Sequence, residues 1–225
     1  MKLSKRLNAI NALITNPVDV IWDCCCDHGY LGIALLRRRA AKQVNFVDVV
    51  DKIMAELSEQ LANISQTLPS DTQYKVHCQD VRAIKLVPGA SNTVIIAGVG
   101  GELLLKLVSG IVENNCADTV ANTRFILCPI HHTYHLRSGL AKLGFALNSE
   151  QLICDNKRFY ELIEVSQNSA IVLTCTGANM WDLTRLPHRQ YLNQLLTHYN
   201  KMLNKDELYY QKVIEDYKKL SDTQK

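Results

Sequence analysis

The sequence predicts an α/β fold: an open, mostly parallel sheet with helices on both faces, a terminal antiparallel hairpin and a small C-terminal helical extension. Three observations carry that reading. Short apolar runs alternate with helical periodicities from residue 18 to about 143. Two strand-like runs then follow one another across Asp155-Asn156-Lys157. Beyond Pro187 only helical spacing remains. Alternating strands and helices build parallel sheets through crossover connections, whereas a three-residue link forces an antiparallel pair.

The elements follow in chain order. Leu3, Leu7, Ile10 and Ile14 recur at helical spacing, with Lys2, Lys5 and Arg6 on the exposed side, until Asn16-Pro17 ends the helix. VDVIWD (18–23) reads as a buried strand, GYLGIALLRRRA (29–40) as a helix and VNFVDV (44–49) as the second strand. A helix over about 51–65 and a turn at Leu68-Pro69-Ser70-Asp71 lead to strand YKVHC (74–78). NTVIIA (92–97) runs into Gly98-Val99-Gly100-Gly101, and a helix over 102–114 follows. RFILC (124–128) and a helix over about 132–143 close the alternating series. FALNSEQLIC (145–154) and RFYELIEVS (158–166) form the hairpin, and IVLTC (171–175) is a candidate further strand. Leu192, Leu195, Leu196, Tyr199, Met202 and Leu203 then mark one helix, and Tyr210, Val213, Ile214 and Tyr217 a second. Residues 1–175 are thus expected to form one α/β domain, and 180–225 a helical extension.

Composition excludes several classes. The 225 residues are 47% hydrophobic and 21% charged, the profile of an ordinary globular chain rather than a disordered or collagenous one. No apolar run approaches bilayer-spanning length, so no membrane partner is expected. The net charge of +3 is too small to signal nucleic-acid binding by bulk electrostatics and too small to exclude it. Its distribution is more informative. Residues 1–52 hold eight basic against five acidic side chains, while 200–225 hold six against five. The eight cysteines include no CxxC pair, and the N-terminus lacks a signal-peptide core. The expectation is reduced thiols in the cytoplasm, serving as small apolar fillers, with no structural metal.

In open α/β sheets, ligands sit at the carboxyl ends of the strands. The first strand ends in Asp23-Cys24-Cys25-Cys26-Asp27-His28-Gly29-Tyr30-Leu31, which is neither GxGxxG nor a P-loop. An acid followed by small residues and a helix start suits a zwitterion, whose ammonium meets the carboxylate and whose carboxylate meets backbone amides. The methionine moiety of S-adenosylmethionine (SAM) fits that description. Asp48, at the end of the second strand, suits a ribose diol, because a carboxylate accepts two hydrogen bonds. Gln79-Asp80-Val81 follows the third strand, where a side-chain acceptor can receive an adenine amino group. The glycines at 98–101 let backbone approach a ligand closely.

These stretches resemble a known family. LSKRL (3–7), DCCCDHGYLG (23–32), IIAGVGGELL (95–104), ILCPIHHTYHLRSGLAKLGF (126–145) and FYELIEV (159–165) are similar to segments of the bacterial tRNA (adenine-22-N1)-methyltransferases. These are Rossmann-like class I methyltransferases that use SAM. The resemblance covers about residues 1–166. It implies methylation of N1 of adenine 22 in tRNA, with SAM as cofactor and tRNA as partner. It places the cofactor on Asp23, Cys25, Asp27, His28, Gly29, Asp48, Asp80, Val81 and Gly98. His28 and Tyr30 are the candidate catalytic side chains. The substrate side falls on Lys5, Arg6, Pro129, His131, Arg137 and Tyr160. Two departures stand out: Cys25 replaces the usual first-loop glycine, and Cys128-Pro129-Ile130 replaces Gln-Pro-Asn. The helices after Pro187 are also shorter than the family's C-terminal coiled coil.

Blander readings exist for most of these residues. Asp48 and Asp80 taken singly are ordinary strand-end polar residues, and Arg37-Arg38-Arg39 is a solvated helix end. His131 and His135 at i, i+4 could bind zinc with Cys128, but a polar helix face bordering the cleft is the favoured reading. Adjacent cysteines on an extended segment alternate in direction, so at most Cys24 and Cys26 could share a ligand. Alternative functions are SAM-dependent methylation of a small molecule or another RNA, or a SAM- or RNA-binding module without catalysis.

Overall fold

The computed structural model describes residues 3–223, so Lys2, expected on the first helix, lies outside the described residues. The strands are β1 (Val18–Cys24), β2 (Ala41–Asp48), β3 (Gln73–Cys78), β4 (Asn92–Ala97), β5 (Arg124–Cys128), β6 (Ala146–Asp155) and β7 (Arg158–Ser166). They form one sheet in the order β3-β2-β1-β4-β5-β7-β6. Pairs among β1 to β5 are parallel, and β7 runs antiparallel to both β5 and β6. The order reverses between β1 and β4, which opens a crevice at their carboxyl ends.

The helices are α1 (Lys5–Leu13), α2 (Tyr30–Arg37), α3 (Asp51–Ile64), α4 (Gly101–Glu113), α5 (Ala117–Ala121), α6 (Thr133–Lys142), α7 (Leu186–Met202) and α8 (Glu207–Thr223). Ser4 caps α1 by accepting from the Leu7 amide. That cap leaves Leu3 outside the helix. Arg38 donates to the carbonyls of Asn11 and Ile14, closing the end of α1 before Asn16-Pro17 is reached. The short α5 was not legible from periodicity.

Strand alternation explains the two cores that flank the sheet. Val20, Trp22 and Cys24 of β1 join the α4 side, with Leu104, Val108 and Ile111. Ile21 points the other way, towards Ile10 of α1, Ile33 and Leu36 of α2 and Leu57 of α3. Asp23 shares that second face, which carries it towards α2. In the hairpin, Asn156 and Lys157 both have positive φ (49° and 62°), as a two-residue type I′ turn demands. The expected strand at 171–175 is absent. Ile171 makes only an isolated bridge to Leu147, because the chain leaves the sheet edge at once to reach the helical extension.

The extension packs onto the sheet domain through a third core. Trp181, Tyr191, Leu192, Leu195, Tyr199, Val213 and Tyr217 bury one another together with Tyr134 of α6. The apolar stripe noted in the sequence is therefore satisfied within the chain. A buried ionic cluster sits beneath it. Arg137 of α6 is wholly buried, donating to Glu150 at 2.6 Å and Glu161 at 2.8 Å, and the Tyr191 hydroxyl donates to Glu161 at 2.8 Å.

Candidate functional site

A cleft of about 520 Å³ opens at the carboxyl ends of β1, β2 and β4. Its walls include Arg6, Asp23, Cys25, Asp27, His28 and Asp48, together with Tyr30, Gly98 and Leu103. Four segments distant in sequence meet here because parallel strands deliver all their carboxyl ends to one edge.

Asp23 forms the floor. It is buried and accepts a 2.9 Å hydrogen bond from the Gly32 amide in the first turn of α2. Burial pushes its carboxyl up to about 7, against the pull of the Gly32 hydrogen bond, and the charge of Asp48 adds to the rise. Asp23 forms no salt bridge among the described residues. A buried carboxylate of this kind matches a ligand ammonium. Gly32 must be glycine, since a Cβ there would lie 2.2 Å from the Phe46 ring and 2.9 Å from the Asp23 carboxylate.

The loop from Cys24 to Gly29 turns sharply. Cys25 and Asp27 have left-handed φ values of 54° and 49°, and Gly29 follows at 66°. The turn at Cys25 breaks the expected alternation. Cys24 and Cys25 both pack on the α4 side, and Cys26 crosses to the other core against Met54. Cys24 and Cys26 therefore cannot share a ligand. Burial pushes the Cys25 thiol up to about 12 and raises Cys24 and Cys26 as well, so these sulfurs are protonated apolar groups.

Asp48 ends β2 and organises the rim. One carboxylate oxygen accepts from the amides of Val49 and Val50, the other from Asp27 at 3.3 Å. Asp80 is held differently. Arg82 grips its carboxylate through Nε and Nη2 at 2.6–3.1 Å, and Asp80 caps the following 3-10 turn. It still lies near enough for its charge to raise the Cys25 thiol. The Val81 side chain is buried in the core, so its backbone is the part that can face a ligand. His28 and Tyr30 are exposed neighbours on the rim, with ring centroids 5.7 Å apart.

The glycine loop after β4 is stitched to the loop after β5. Gly98 donates to the Cys128 carbonyl, Ile130 to Val99 and Gly101 to His131. Gly98 has φ 87°, and the Arg6 guanidinium lies about 3.7 Å from where a Cβ would stand. Arg6 is fixed there twice. Its amide donates to Asp155, and its guanidinium stacks over Tyr160 at 4.9 Å.

Of the expected substrate-side residues, Arg6 lines the cleft with Tyr160 beneath it. Lys5 is exposed on α1, His131 packs on Gly100 and Pro129 is buried. Arg137 is a correction. It is held, wholly buried, between Glu150 and Glu161, with the Thr174–Gly177 segment against its guanidinium. Cys128 is likewise buried, so its difference from the family's glutamine falls in the core rather than on the substrate face. Sequence reading missed the partners Glu150, Glu161 and Tyr191.

A family model described as a methyltransferase domain matches residues 3–163. A curated relative, the tRNA (adenine(22)-N(1))-methyltransferase of Bacillus subtilis, is 25% identical over 164 residues, 72% of this chain. That alignment spans 64% of the relative's own length. The crystal structure of the B. subtilis M1A22 tRNA methyltransferase TrmK superposes with a TM-score of 0.73 at 21% identity, covering 99% of this chain and 96% of that one. Streptococcus pneumoniae Sp1610 in complex with S-adenosyl-L-methionine gives 0.75 at 20% identity, covering 97% and 99%. With a sheet of this order, a ligand-sized cleft at its switch point and a family match over most of the sheet domain, the chain belongs to the methyltransferase-domain family.

Proposed function

We propose that this protein uses SAM to methylate N1 of adenine 22 in tRNA. The observation that carries the proposal is the convergence of Asp23, Asp48 and the Gly98 loop on one cleft, in a chain whose curated relative bears that activity in its name. When bound, SAM supplies a methyl group on a sulfonium, open to in-line displacement. The residues present fit the cofactor: the buried Asp23 carboxylate would hold its ammonium, and amides at the start of α2 would hold its carboxylate. Asp48 is poised for ribose hydroxyls.

The chain's own contribution is alignment. Adenine N1 carries a lone pair and needs no deprotonation, which agrees with a β4 loop that offers glycines and no carboxylate. The backbone at Gly98 admits a flat base, with Arg6 and Tyr160 alongside. Positive charge develops on the base, and Tyr30, His28 and the Asp27 carboxylate stand on the rim to meet it. N1 lies on the pairing edge, so the adenine must leave any pair to enter.

The test is mass-spectrometric nucleoside analysis of unmodified tRNA incubated with the protein and SAM. One N1-methyladenosine per susceptible tRNA is expected, and none when adenine 22 is replaced by guanine. Equal methylation of that variant would refute the substrate assignment.

A further inference from the structure

A second cleft, of about 420 Å³, lies where the helical extension meets the sheet domain. It is lined by Glu102 of α4, His132 and His135 at the start of α6, His198 and Tyr199 of α7, Lys205 and Asp206 of the α7–α8 turn, and Tyr209 and Tyr210 of α8. The proposed cofactor site is next door. Glu102 faces this cleft and its neighbour Leu103 faces the other, so one turn of α4 separates them.

Four of the chain's seven histidines gather here. The rings of His131 and His132 meet edge to face at 4.3 Å, and burial, followed by the charges of His131, His198 and His135, holds the His132 imidazole below its ordinary value. His132 lies 3.2 Å from Glu102 and adopts φ 59°, an uncommon conformation for a side-chain-bearing residue. It is also the N-cap of α6, a ten-residue helix with no side-chain cap and no acid in its first turn. Among the lining acids, Asp206 is turned to its own helix, accepting from the Tyr209 amide. With neutral imidazoles, Glu102 and Asp206 outweigh Lys205 by one negative charge. Protonation of the three lining histidines reverses the sign to two positive. Aromatic rings line the far wall: Tyr209 meets Tyr210 edge to face at 5.0 Å, and Tyr199 stacks on Tyr210 at 6.1 Å.

We propose that this cleft is a pH-dependent subsite for an RNA phosphodiester and the base beside it, holding the nucleotide next to the one that enters the cofactor cleft. This rests on the tRNA reading above. The phosphate would take the imidazoles and Lys205, and the base would stack on the tyrosines. Clustered imidazoles repel one another when charged, so an anion that binds there takes up protons with it. RNA affinity accordingly rises as pH falls through the range in which imidazoles acquire charge.

The experiment measures fluorescence anisotropy of labelled, unmodified tRNA against the full chain without SAM, at constant ionic strength, from about pH 6 to about pH 8. Wild type is expected to bind about tenfold tighter at the lower pH. His135→Gln with His198→Gln, both at exposed positions, should flatten that dependence and leave SAM affinity by calorimetry unchanged. Glu102→Gln should act in the opposite direction, tightening binding at the higher pH. If the double variant keeps the wild-type pH profile while tRNA is still methylated, the subsite is wrong and the tRNA reading stands. If tRNA neither binds nor is methylated at any pH, the tRNA reading falls and the subsite with it. Inorganic phosphate shifting the histidine ring protons, with RNA binding indifferent to the variants, would also overturn the RNA assignment.

Discussion

At the scale of single residues, Asp23 and Cys25 show opposite uses of an unfavourable state. Asp23 has a carboxyl raised to about 7 by burial. The folded protein therefore binds more protons than the unfolded chain between about pH 4 and about pH 7. Stability of the cofactor-free protein should fall as pH rises through that window, and Asp23→Asn should remove this part of the dependence in urea titrations. SAM affinity should move the other way, weakening below about pH 7 as the carboxylate that pairs with the ammonium is lost. Cys25 occupies a left-handed conformation at φ 54°. Such a position costs a side-chain-bearing residue about 1–2 kcal/mol, which glycine avoids. Cys25→Gly should therefore raise the denaturation midpoint, offset in part by the greater freedom of glycine in the unfolded chain. An unchanged or lower midpoint would show that the thiol's packing outweighs the backbone term.

At the scale of elements, α7 is tied to the sheet domain by Tyr191 and the buried Arg137 cluster. Removing Arg137 leaves Glu150 and Glu161 facing each other uncompensated, and breaking such a buried pair costs about 3–5 kcal/mol. Arg137→Ala should lower stability by that amount in denaturant titrations. Tyr191→Phe, which removes one hydrogen bond to a charged group, should cost about 1.5–3 kcal/mol. A variant at either position that melts like wild type would mean the extension docks by its apolar core alone. Neither link was legible from sequence. Arg137 sits on a helix rich in polar residues, and nothing local distinguishes a guanidinium that turns inward from one that faces a substrate.

For the whole molecule, the basic excess over residues 1–52 is partly spent on structure. Arg38 closes α1, Arg39 pairs with Asp71 and Lys42 pairs with Asp19. Lys5 is exposed on α1 and Arg6 is at the cleft, which narrows the phosphate-contacting candidates in this segment. Replacing Lys5 alone by alanine should weaken tRNA binding uniformly and lower the slope of log affinity against log salt by about 0.9. An unaltered slope would remove Lys5 from the interface.

What the sequence determined by itself was the order and type of the elements and the strand ends that meet at the cleft. Period-two and helical apolar spacing specify each element locally, and βαβ handedness then leaves one edge for all the carboxyl ends. Asp23, Asp48 and Gly98 were readable for that reason. Only the tertiary structure decided which polar groups face outward. Arg137 was lost to the interior, Asp80 was engaged by Arg82, and Cys25 was twisted into a conformation that reverses the side its sulfur packs on. It also brought three histidines from two distant segments into one cleft with the tyrosines of α7 and α8. Direction and burial depend on neighbours supplied by remote parts of the chain, and local periodicity carries no record of those neighbours.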